Sequence, residues 1–179
     1  MDLTPDIRLS LMELNKCTRQ RALAVLAVED IDSLDALAGT FWADVLFVTG
    51  RKRASLDTEQ LEALSKASAG LGYGATQYAL LAESDEDVAS VDAKKLEAYV
   101  QALSVDTIIF LEAELAQRLQ DFPRNPSQSL LSNLPEEHPY LRRVVVTDFF
   151  AALEDGDDQQ AKKQQAWTEL QAAKRQSAL

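Results

Sequence analysis

Four stretches of the chain are apolar without polar alternation, and this constrains the fold more than any other feature. Val45-Leu46-Phe47-Val48, Thr107-Ile108-Ile109-Phe110-Leu111 and Val144-Val145-Val146-Thr147 are rich in β-formers, and Tyr78-Ala79-Leu80-Leu81 is a weaker fourth. A strand with one wet face alternates apolar and polar residues. A strand that is apolar throughout is covered on both faces, as in a parallel sheet between helices.

The intervening stretches carry helix signals. Asp57 stands three before Gln60, a capping-box spacing, ahead of Leu61, Leu64 and Ser68; Gly70 ends that stretch. Asp92 can cap a helix whose Leu96, Tyr99, Val100 and Leu103 form one stripe. Glu112 to Leu119 reads as a helix entered directly from the third strand, with Glu112 and Glu114 in its first turn, where the helix dipole favours acids. Asp157 to Lys174 reads as the last helix. Four of the five prolines lie between Asp121 and Pro139, an irregular surface excursion. The order strand, helix, strand, helix predicts a three-layer α/β/α sandwich with a mostly parallel sheet of about four strands. Residues 1–40 are expected to be a helical segment packed on a core formed by 41–179, the whole making a single domain.

Composition narrows the functional classes. The 179 residues are 46% apolar and 26% charged, a globular balance, and 18 Lys and Arg against 29 Asp and Glu leave a net charge of −11. That balance argues against tight non-specific nucleic-acid binding, leaving room only for a weak or local contact. One cysteine excludes an internal disulfide, and no Cys/His spacing fits a zinc site. Neither a targeting segment nor a membrane span is visible, so a cytoplasmic protein without cofactor or metal is expected.

In a parallel sheet a ligand site lies beyond the carboxyl ends of the strands. Those positions here are Thr49 to Ala54, Ala82 to Asp87, Glu112 to Glu114 and Asp148 to Leu153. Arg51-Lys52-Arg53 is the one dense basic cluster, readable as a phosphate or partner contact or as a solvated loop near Asp57 and Glu59. Phe149-Phe150 reads as core first and as an exposed partner contact second. Phe41-Trp42 reads as packing, and Trp167 as the anchor of the last helix. His138 and Cys17 read as a solvated and a small buried residue, respectively. The acidic runs Glu83, Asp85, Glu86, Asp87 and Glu154, Asp155, Asp157, Asp158 match no calcium-loop spacing and read as solvated turns.

Several segments resemble the uracil-DNA glycosylase superfamily, nearest its iron–sulfur branch from bacteria and archaea. They are Ala43 to Gly50, Gly72 to Leu81, Leu96 to Leu119, and most specifically Arg143 to Thr147 followed by Ala151-Ala152-Leu153, Lys162-Lys163 and Ala166 to Gln171. The resemblance covers most of the chain after about residue 40, and it implies that family's α/β/α core. Its working groups do not carry over. Gly50 stands where the family places the acid or amide that orients water. Phe149-Phe150, after Asp148, stands where a His-Pro pair would stabilise charge on the departing uracil. The uracil-reading Asn has no counterpart near Leu81-Ala82. Only Cys17 matches a cluster cysteine, with Gln20 where a second belongs.

The resemblance therefore implies a degenerate active site and a non-enzymatic protein-interaction module in DNA replication or repair. Val45 to Arg53 and Thr147 to Gln171 are also similar to the psi subunits of the bacterial DNA polymerase III clamp loader. That similarity implies a bridge between a chi-like subunit and the loader. An enzyme would need a site rebuilt from Arg51, Lys52, Arg53, Asp148 and the Glu83 to Asp87 loop.

Overall fold

The computed structural model describes residues 19–27, 37–83, 91–119 and 141–175. Along the chain run a helix α1 over residues 19–27, then β1 (Leu37–Gly39), β2 (Val45–Lys52), α2 (Thr58–Gly70), β3 (Tyr78–Glu83), α3 (Ala93–Leu103), β4 (Thr107–Phe110), α4 (Ala113–Arg118), β5 (Arg142–Val145) and α5 (Gln159–Leu170). A short 3₁₀ turn, Gln171–Ala173, extends α5.

The five strands form one sheet in the order β1-β3-β2-β4-β5. All pairs are parallel except β1 with β3. Three of the apolar runs are the parallel strands β2, β3 and β4, as expected. The fourth only overlaps β5, which starts at Arg142 and ends at Val145, short of Val146 and Thr147, and the sheet has five strands rather than about four. The added strand is Leu37–Gly39, inside the stretch expected to be helical. At three residues it is too short to show a period, and its pairing depends on a glycine. Gly39 takes φ +94°, and a Cβ there would collide with the Tyr78 carbonyl.

Alternate residues of each strand enter opposite cores. Leu46, Val48, Ile108 and Phe110 face α1, α3 and α4, packing with Leu26, Leu96 and Leu115. Val45, Phe47, Ile109 and Val144 face α2 and α5, packing with Leu64, Ala166 and Leu170. Continuous apolar sequence in β2 and β4 is thus the period-2 rule satisfied twice, once for each covered face.

The capping signals of α2 and α3 hold in detail. Asp57 accepts from the Gln60 N–H at 2.8 Å while its own N–H donates to Gln60 Oε1 at 3.1 Å, closing the capping box of α2. Asp92 caps α3 through the Lys95 N–H at 2.7 Å, and Leu96, Tyr99, Val100 and Leu103 are all buried. Beginning at β2, the chain crosses to β3 over one face, then through α3 and α4 over the other to β4 and β5. That alternation is what crossovers of a single hand produce.

Candidate functional site

The order of the parallel strands makes β2 the switch point: its two neighbours, β3 and β4, are reached by crossovers on opposite faces. A crevice opens beyond the carboxyl ends at such a point. Here it is a hollow of about 460 Å³, with Gly50, Arg51, Glu112, Leu115 and Arg118 among its walls. The Thr49 to Arg53 stretch is not the loop expected from sequence. β2 continues through Lys52, with a register shift against β3 between Val48 and Lys52, and Arg53 opens a 3₁₀ turn. Pairing with β3 resumes at Lys52–Glu83, which keeps the backbone extended past the apolar run.

Glu112 occupies the centre of this edge. It is the N-cap residue of α4 by position, yet its side chain does not cap the helix. Instead Oε1 accepts the Thr49 hydroxyl at 2.7 Å and Oε2 accepts the Gly50 N–H at 3.2 Å. Thr49 is fully buried, and its oxygen in turn accepts the Arg51 N–H at 3.1 Å. Burial pushes the Glu112 carboxyl above the usual range. The Thr49 and Gly50 hydrogen bonds and the Arg51 charge oppose that rise, and the Asp148 carboxylate adds to it. A carboxyl with raised proton affinity facing a hollow is chemically able to hold or accept a proton. Among the described residues, no histidine, cysteine or serine lines the hollow as a partner for it.

The segment after β5 closes the same edge. Val146 N–H donates to the Phe110 carbonyl at 2.8 Å, Phe149 N–H to Leu111 at 2.9 Å, and Ala113 N–H to Thr147 at 2.9 Å. Asp148 forms a bridge with Glu112, and its carboxylate accepts the Ala151 N–H at 2.9 Å, fixing the turn. That turn drives Phe149 and Phe150 into the α2/α5 core, where they are 6% and 0% exposed and meet edge to face at 5.4 Å. The core reading of this pair is the correct one. Arg51 lies over the Phe150 ring at 4.7 Å and comes within 3.8 Å of Glu154.

Gly50, Arg51, Asp148 and Phe150 are therefore brought together. The basic triplet is not one patch: Lys52 projects at the exposed edge, and the Arg53 guanidinium turns back to the Leu37 carbonyl at 3.1 Å. Gly50 has no steric need to be glycine, since a Cβ there meets nothing within 4 Å.

Beside the hollow, Glu83 pairs with Arg118 at 2.8 Å; Asp85, Glu86 and Asp87 lie outside the described residues, as do His138 and Cys17. Gln20, on α1, is exposed. No group of three acidic, Cys or His residues able to hold a metal occurs among the described residues. Trp167 is 41% exposed and seats its ring on Gly70, so it joins α5 to α2 rather than to the sheet. Trp42, expected to be packed, is 39% exposed, while Phe41 is partly buried against the α3 core.

Sequence reasoning placed Glu112 in the helix but missed its tie to Thr49. The available signal was Thr49 itself, a polar residue continuing a strand that runs between two cores. No described helix is long and apolar enough to cross a membrane. Comparison with protein-family models and with curated proteins finds no match.

Proposed function

We propose that this chain is a non-enzymatic, uracil-DNA glycosylase-like interaction module, acting in the cytoplasm within DNA replication or repair. The observation that carries this reading is the fate of Phe149 and Phe150. Where the resembled enzymes need a group that stabilises the departing base, this chain has two rings turned into its core. One preorganised donor contributes roughly 3 kcal/mol to such a step, and a phenyl ring supplies none. An extruded base also needs polar groups to read its edge. Several polar groups at this edge are engaged within the chain: Thr49 and Gly50 with Glu112, and Asp148 with the Ala151 N–H.

A psi-like subunit of a clamp-loader assembly is the second reading. It is favoured by α5, which buries Ala166 and Leu170 while leaving Trp167 41% exposed. Incubation with single-stranded uracil-containing DNA tests the first statement. No abasic product is expected, and product that disappears on Asp148→Ala would instead mark an enzyme with a rebuilt site. Affinity capture from native cytoplasm separates the two readings, because only a psi-like subunit retains clamp-loader components at low salt.

A further inference from the structure

We infer that the groove between α2 and α5 is a docking site for an amphipathic helix of a partner protein, one whose apolar ridge is flanked by carboxylates. The inference rests on the interaction-module reading and specifies the partner's chemistry. The groove, of about 230 Å³, is floored by Ala67, Phe149 and Leu153 and walled by Trp167. It is smaller than the clefts that enclose small-molecule ligands, roughly 300 Å³ and upward. It suits one or two side chains of a polypeptide, the way a helix lays its anchors into a groove.

The rim sets the sign of the partner. Although the chain carries a net charge of −11, the only charged residues lining this groove among the described residues are Lys66 on α2 and Lys163 on α5. Lys66 is held only loosely, 3.8 Å from Glu62, with its side chain 80% exposed, so a partner carboxylate can replace that contact. At physiological salt the screening length is about 8 Å, so these local ammonium groups govern docking more than the distant net charge does. Trp167 adds an exposed aromatic wall of the kind that anchors interfaces.

The test uses the full chain carrying Trp42→Phe, so that Trp167 is the sole tryptophan, excited at the red edge of its absorption where the tyrosines do not absorb. The probe is a synthetic helical peptide with leucines at i, i+3, i+4 and i+7 and glutamates beside them. Its counterpart carries lysines in place of the glutamates. The acidic peptide is expected to shift Trp167 emission to the blue in a saturable titration. The double variant Lys66→Glu/Lys163→Glu is expected to weaken it at least about tenfold and to favour the lysine peptide instead. Both lysines are exposed, so the variant's thermal melt serves as the folding control. Equal binding of the two peptides, binding by neither, or a titration unaffected by the charge reversal overturns the proposal. Failure of the interaction-module reading is read separately, as abasic product in the uracil-DNA assay.

Discussion

Glu112 answers for both of its carboxylate oxygens within its own chain, yet burial still raises its affinity for a proton. Because its folded-state value lies above the unfolded one, folding favours the protonated form. Its contribution is complete below the ordinary carboxylate range and is lost as pH rises through the raised value. Glu112→Gln removes that penalty while keeping one acceptor for Thr49. The melting temperature of the variant relative to the wild type is therefore expected to rise between pH 4.5 and pH 7, and a difference that is flat or falls with pH would refute this. Glu169 runs the other way. Burial pushes its carboxyl up, but the Thr147 N–H, the Gln165 amide and the Thr147 hydroxyl together hold it below the usual range. Its stabilisation is present above that range and is lost as pH falls. Thr49→Val strands both the Glu112 oxygen and the Arg51 N–H, with an expected cost of about 1–3 kcal/mol in urea unfolding. None of this can be read locally. Thr49 and Glu112 lie 63 positions apart, and a glutamate after an apolar run fits a helix's first turn as readily as a tether to another strand.

At the scale of elements, legibility follows burial and local chemistry. Strands β2, β3 and β4 and helices α2 and α3 were readable because two cores demand unbroken apolar sequence and because Asp57 and Asp92 cap within a turn of themselves. Strand β5, at the margin and opening on two arginines, was readable only in its second half. The short edge strand β1 was not, since its stability comes from β3 and from the space beside Gly39. Both sheet margins are blunted. β1 has only three residues, and β5 only four, two of them the charged Arg142 and Arg143, features that disfavour pairing with another chain. Arg143 is itself anchored, stacked on the Phe110 ring at 4.8 Å and donating to the Ala116 carbonyl of α4. Breaking the α2 capping box with Asp57→Ala is expected to cost about 1 kcal/mol. Phe150→Ala is expected to cost about 3–5 kcal/mol, because a fully buried ring leaves a cavity in the α2/α5 core. Urea midpoints at constant m-value measure both.

For the molecule as a whole, the two ends of the sheet do different work. The carboxyl end carries the hollow and Glu112. The opposite end is a clasp. The buried Tyr73 hydroxyl meets Thr107 Oγ1 and the Ala173 carbonyl, each at 3.0 Å, and accepts from Arg142 at 2.8 Å. Burial pushes its proton affinity up, so the phenol stays a donor at neutral pH. Arg142 also donates to the Lys174 carbonyl at 3.1 Å, Arg175 pairs with Asp44 at 3.2 Å, and the Arg175 N–H reaches the Leu71 carbonyl at 2.9 Å. Tyr73→Phe leaves Arg142 and the Ala173 carbonyl short of a partner, and should lower stability by about 1–3 kcal/mol without altering Trp167 emission.

The clasp also orders events in time. Its partners at 44, 71, 73, 107 and 142 are translated before 173–175, so every strand of the sheet can leave the ribosome with its lower hem still unfastened. The segment that fastens it is made after the strands it holds, and a growing polypeptide halted before that point would leave open to chaperones a tyrosine that the folded protein buries.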